Sequence, residues 1–214
     1  MEKMDEFFAA RVEEYDAHML QSVEGCREAY EEMAKQVPAA CCTLLDLGCG
    51  TGLELDAIFT RLPSLKVTGI DLTQAMLDKL KEKHPDKALR LICGSYFTVP
   101  LGMEAYDCAV SFQTMHHFSH TAKTALYQKI VQALKPNGIY IECDYMVESQ
   151  QEEDFYFAEN ARLRREQGID STAFYHYDTP CTVENQIAML YAAGFSSVKR
   201  VFRKGNTTLL IARR

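Results

Sequence analysis

No run of eighteen apolar residues occurs in the sequence, so no segment has the length of a membrane-spanning helix. The N-terminus opens with Glu2, Lys3, Asp5 and Glu6 where a secretory signal would carry an apolar core. Basic residues are in deficit, with 23 Lys+Arg against 30 Asp+Glu and a formal net charge of −7, which disfavours binding through a nucleic-acid backbone. Although there are 8 cysteines, none forms a Cys-x-x-Cys pair. They read as free thiols acting as small hydrophobes in a reducing cytosol. The neighbouring His116 and His117 do not match the spacing of ligand pairs that face one ion, so no metal site is read. Repeats, low-complexity tracts and linkers are also missing. These absences imply a soluble, cytoplasmic protein with no membrane or nucleic-acid partner, either a monomer or a homodimer.

What is present is ordinary globular composition: 214 residues, 47% hydrophobic and 25% charged, enough for one domain spanning 1–214. From Phe8 through Val12, Tyr15, Met19, Val23, Cys26 and Tyr30 the apolar residues recur at helical spacing, which predicts an amphipathic N-terminal helical region over 1–37. After Pro38 the pattern alternates: strands at 42–47, 66–71, 89–93, 106–111 and 139–144, with helices at 53–61, 73–83 and 120–135. Strands separated by helices imply parallel pairing, hence a doubly wound α/β sheet. Thr182 caps a helix that runs to Ala193, and strands at 197–203 and 207–212 close the chain in an antiparallel hairpin. Residues 146–181 carry seven aromatic or histidine side chains with weak periodicity and read as an insertion covering a substrate.

Asp46-Leu47-Gly48-Cys49-Gly50-Thr51-Gly52 follows a strand and opens a helix, the place where α/β sheets bind ligands. The dinucleotide fingerprint needs its third glycine at position 53, where this chain has Leu53. That departure argues against a nicotinamide-dependent oxidoreductase. Asp71 ends the second strand, 19 residues beyond Gly52, and a carboxylate there can accept hydrogen bonds from both ribose hydroxyls. Its carboxylate is expected to serve the ligand and not the core.

These motifs resemble those of the class I S-adenosylmethionine-dependent methyltransferases. Leu44–Gly52 is similar to the family's first motif and Gly69-Ile70-Asp71 to its second. Cys93-Gly94-Ser95, Tyr106–Ser111 with His116-His117, and Leu134–Gly138 resemble later ones. The resemblance implies a Rossmann-like, seven-stranded, mostly parallel sheet. It implies S-adenosyl-L-methionine as cofactor and S-adenosyl-L-homocysteine as product. By position, Gly48, Cys49, Gly50 and Gly52 would hold the methionine part, with Asp46 toward its amino group. Asp71 would take the ribose, Leu72 and Met76 would flank the adenine, and Ser95 and Tyr96 would meet its edge. Gln113 and Thr114 would lie beneath the sulfonium, and Arg11 and Tyr15 would close over the cofactor.

The implied reaction is methyl transfer to a small-molecule acceptor. The candidates for catalytic work are His117, Tyr177 and Asp144, with Tyr15 a further candidate base. A protein that binds S-adenosylmethionine or S-adenosylhomocysteine without transfer, as a sensor or partner, is the competing reading. A pocket beside the sulfonium discriminates the two.

Overall fold

The computed structural model describes residues 1–170 and 173–214. Three short helices come first: α1 (Met4–Ala9), α2 (Val12–Gln21) and α3 (Cys26–Gln36). The apolar periodicity is continuous across them, but the chain turns at Arg11 and again at Gly25, whose φ is +81°. A Cβ on Gly25 would stand 2.9 Å from the Lys204 carbonyl, so the glycine permits both the turn and the close approach of the C-terminal hairpin.

The alternating region follows as β1 (Thr43–Leu47), α4 (Leu53–Arg61), β2 (Lys66–Asp71), α5 (Gln74–Lys83), β3 (Ala88–Cys93), β4 (Tyr106–Phe112), α6 (His120–Ala133) and β5 (Leu134–Val147). The chain ends with α7 (Gln150–Gln167), β6 (Cys181–Thr182), α8 (Val183–Ala192), β7 (Ser197–Lys204) and β8 (Thr207–Arg213). The sheet order is β3-β2-β1-β4-β5-β8-β7, with the two-residue β6 paired to β5 beside this path. The pairs β1–β2, β2–β3, β1–β4 and β4–β5 are parallel, and β8 is antiparallel to both neighbours.

Buried strand residues alternate between two apolar layers. Leu44, Val67, Cys108, Val110 and Ile141 face α3 and α4, while Leu45, Leu47, Ala109, Tyr140 and Leu210 face α6 and α8. All eight cysteines are free and six are buried. No helix among the described residues is long and apolar enough to cross a membrane.

Two boundaries differ from the sequence reading. Helix α6 stops at Ala133, and Leu134–Gly138 already belongs to β5, with an irregular register opposite Tyr106 and Cys108. Residues 150–167 form a long helix inside the region read as a weakly periodic cover. It opens on a capping box in which Ser149 and Glu152 satisfy each other's backbone amides.

Candidate functional site: a cleft and a cavity at the sheet's switch point

Strand order reverses between β1 and β4, so the carboxyl ends of these strands splay into the crevice that open α/β sheets use for ligands. Gly48, Gly50 and Gly52 all take positive φ, at +72°, +47° and +75°. A Cβ on Gly48 would meet the Thr114 hydroxyl at 2.5 Å, and one on Gly52 would meet Leu80. Gly50 is different: the nearest atom to its added Cβ is Tyr15 Cε1 at 3.8 Å, which leaves its backbone open to a ligand. A small cleft here is lined by Gly48, Gly50, Asp71, Met76, Gln113 and Thr114, under Phe8 and Tyr15.

Behind the loop, Asp46 points from β1 to the α4 side and is fully buried. Asp46 and Glu54 share a hydrogen bond as a buried carboxyl pair, and no N–H or other donor reaches either Asp46 oxygen or Glu54 Oε1. Burial and the neighbouring Glu54 charge push Asp46 well above the usual carboxylate range, while burial raises Glu54 to about 7. Two buried acidic groups with no cationic or amide donor bonded to them are the complement of a ligand ammonium. The residues present therefore fit the amino acid end of S-adenosylmethionine.

Asp71 takes a second role. Its Oδ2 accepts from the Gly50 amide at 2.9 Å and its Oδ1 from the Thr73 amide at 2.8 Å. The carboxylate thus fixes the glycine loop besides presenting its remaining lone pairs to the cleft.

The other residues drawn from the family resemblance sit around this cleft at different depths. Cys49 is buried against Gly69, and Gly52 is the left-handed cap of α4. Leu72 follows Asp71 half-buried, and Ser95 Oγ accepts from the Phe97 amide. Tyr96 is buried behind Thr114, their hydroxyls 3.0 Å apart. Arg11 is exposed; it bonds the Phe7 carbonyl at 2.8 Å, lies over the Phe7 ring, and reaches the larger cavity instead of the cleft.

That larger cavity has a volume of about 620 Å³. Its roof is built by pairing two distant segments: Met4 N donates to the Phe174 carbonyl, His176 N donates to the Glu2 carbonyl, and Lys3 bridges Tyr175. Phe8, Tyr15 and Gln113 line both the cleft and the cavity. Gln113 holds φ at +50°, uncommon for a residue with a Cβ, and this places it at the junction just past β4.

Of the catalytic candidates, His117 and Tyr15 line the cavity. Asp144 lies behind the wall, 2.5 Å from His116 Nδ1. Tyr177 does not line the cavity, and its carbonyl sits 3.4 Å from His117 Nδ1. The wall also holds His116, read from the sequence as part of a motif, His176, read within the covering insertion, and Asp178, which was not singled out. A three-residue 3-10 turn (Met115–His117) and the extended segment 174–178 bring them together. His116 is buried, which opposes its charge, but Asp144 and Asp178 outweigh this and raise it to about 10. Burial and the His116 charge lower His117, and burial beside His117 lowers His176 to about 4. Burial opposes the charge on Asp178, yet the imidazoles of His116 and His117 hold it well below the usual range.

The methyltransferase-domain family pattern matches residues 44–138. A carboxy-S-adenosyl-L-methionine synthase of Helicobacter hepaticus is 29% identical over 203 residues, covering 90% of this chain and 82% of that protein. A malonyl-[acyl-carrier protein] O-methyltransferase of Priestia megaterium is 31% identical over 97 residues, covering 44% of this chain and 34% of the other. Human N-acetylserotonin methyltransferase, solved with S-adenosylmethionine, superposes with a TM-score of 0.65 at 16% identity, over 97% of this chain and 55% of that one. At that identity the likeness establishes the fold. The family match runs from β1 through the start of β5, across the glycine loop and both acidic strand ends, and over these residues the chain is similar to S-adenosylmethionine-dependent methyltransferase domains.

Proposed function

We propose that the chain transfers a methyl group from S-adenosylmethionine to a small-molecule acceptor held in the larger cavity. One observation carries this reading: the cofactor cleft and the 620 Å³ cavity share Phe8, Tyr15 and Gln113 as a common wall. A protein that only bound the cofactor would have no use for a second cavity of ligand size at that point. The non-catalytic reading is the poorer fit on this ground.

When bound, S-adenosylmethionine supplies a methyl carbon on a cationic sulfur; the acceptor's lone pair forms the new bond to carbon, and the carbon–sulfur pair returns to sulfur. The residues of this chain hold the cofactor and exclude water. Asp46 and Glu54 receive the ammonium, Asp71 the ribose hydroxyls, and Met76 with Leu72 the adenine. Phe8 and Tyr15 cover the reacting centre, where alignment of acceptor and methyl is worth up to ~7–11 kcal/mol of the barrier. His117 and His176 are neutral near pH 7 and present ring nitrogens to a proton or another Lewis acid. Asp144 acts through His116, as a positioning residue. The cytoplasm is the proposed compartment, and a monomer or homodimer the proposed state.

Calorimetric titration with S-adenosylmethionine, S-adenosylhomocysteine and NAD tests the cofactor. Binding of both sulfur compounds and not NAD is expected, followed by S-adenosylhomocysteine release when an acceptor is supplied. A folded sample that binds neither overturns the proposal. The curated relative named as a carboxy-S-adenosyl-L-methionine synthase makes a second readout useful: mass spectrometry for carboxylated S-adenosylmethionine, whose formation would replace the acceptor reading.

A further inference from the structure

We propose that His116, His117 and Asp178, with His176 beside them, form a site for one divalent transition-metal ion in the wall of the acceptor cavity. The candidate ligand atoms of the first three lie within 4.8 Å of one another. Asp178 Oδ1 stands 3.5 Å from His116 Nε2 and 3.4 Å from His117 Nδ1. Metal–nitrogen and metal–oxygen bonds of about 2.0–2.1 Å at tetrahedral angles set ligand atoms about 3.3 Å apart, so the observed separations, at the long end for direct hydrogen bonds, match those of donors around an ion. Asp178 Oδ1 is buried, and its polar neighbours among the described residues are these imidazoles at long range. His176 Nε2 lies 4.0 Å from the same oxygen, its ring stacked on Phe7.

A second observation points the same way. His116 Nδ1 is engaged by the buried Asp144 carboxylate at 2.5 Å, which fixes the ring with Nε2 toward Asp178. A carboxylate behind a histidine, orienting it and raising its basicity, is the arrangement that metal-binding histidines use. Two imidazoles and a carboxylate suit zinc, manganese, iron(II) or cobalt, and the cavity side stays open for a further ligand. His120, Glu153 and Cys181 also cluster, but the Lys123 ammonium lies 2.8 Å from Cys181 Sγ and occupies it with a positive charge.

The ion's part in the reaction rests on the methyl-transfer reading, whereas its binding does not. The acceptor class follows from the open position: a molecule whose hydroxyl, or other protic donor, binds the ion as its conjugate base. Coordination would release that proton to solvent and keep the acceptor's lone pair available in the cavity that shares a wall with the cofactor cleft.

Cobalt(II) titration of the chelator-treated full chain, followed by its visible ligand-field bands, tests the site. One equivalent is expected to bind. Asp178→Asn, at a half-exposed position, should weaken cobalt at least ~10-fold, and Asp144→Asn by ~10–100-fold. His120→Gln should leave binding unchanged. Uptake by the parent no tighter than by a His117→Ala/Asp178→Asn variant overturns the proposal, as does loss in His120→Gln with retention in Asp178→Asn. S-adenosylhomocysteine titration of the same samples separates the two readings, since cofactor binding without cobalt binding removes the metal site alone.

Discussion

The carboxylate of Asp71 accepts from the Gly50 and Thr73 amides, so truncating it to Ala would unfasten the glycine loop as well as the ribose contact. Asp71→Asn keeps one oxygen for the loop and removes the charge. Hydrogen bonds to charged groups contribute about 1.5–3 kcal/mol each, so this variant should bind S-adenosylhomocysteine ~10–150-fold more weakly, by calorimetry, with a small change in Tm. The Asp46–Glu54 pair predicts a pH effect. Glu54 sits above its ordinary value, at about 7, so its contribution to the stability of the free protein is present below the usual glutamate range and lost as pH rises through about 7. Glu54→Gln should therefore flatten the fall in Tm between pH 5 and 8 that the parent shows, in buffers on the order of one pH unit apart. A ligand ammonium favours the ionised pair, so S-adenosylhomocysteine affinity should rise over the same interval in the parent and not in Glu54→Gln. Asp46 and Asp71 were legible from motif spacing. Glu54 was not, because an acidic residue in the first turn of a helix reads as a favourable dipole partner and nothing local says that it is buried.

At the scale of elements, the strand and helix alternation between β1 and β5 was legible because each segment carries one period and most end at or near a glycine, proline or acidic residue. Helix α7 was hidden for the opposite reason. Phe155, Tyr156 and Phe157 are consecutive and cannot share a helical face, and Glu153 is its one fully buried residue. What holds the helix is its capping box, the Arg162 pairs with Glu159 and Glu166, and Glu153 receiving the Thr182 amide and the Asn185 side chain. Ser149→Ala should cost about 1 kcal/mol in urea unfolding, since it removes the hydroxyl that caps the first turn.

At the scale of the whole molecule, a buried polar network ties α6, β5 and α8. Lys123 Nζ donates to Gln186 Oε1 at 2.9 Å, Gln186 Nε2 donates to Glu142 Oε1 at 2.5 Å, and Tyr140 OH donates to Glu142 Oε2 at 2.9 Å. Burial and Asp144 raise Glu142 to about 7, and the Lys123 charge opposes that rise. Lys123→Met leaves the buried carboxyl without its cation and should lower stability by ~3–5 kcal/mol, measured by denaturant midpoint. Adding Glu142→Gln should recover much of the loss, because no buried charge is then left unpaired.

The sequence by itself determined the parallel sheet, the glycine loop and the two acidic strand ends, since these depend on periodicity and on spacings within a few residues. Tertiary structure decided what faces the ligand. Asp178 reaches the His116-His117 turn across about 60 residues of chain because the 174–178 segment pairs with the N-terminus over the cavity. Contacts of that separation are set by packing of the whole fold, which local patterns do not encode. The same packing made the two adjacent histidines, whose spacing alone suggested no shared ligand, converge on one carboxylate.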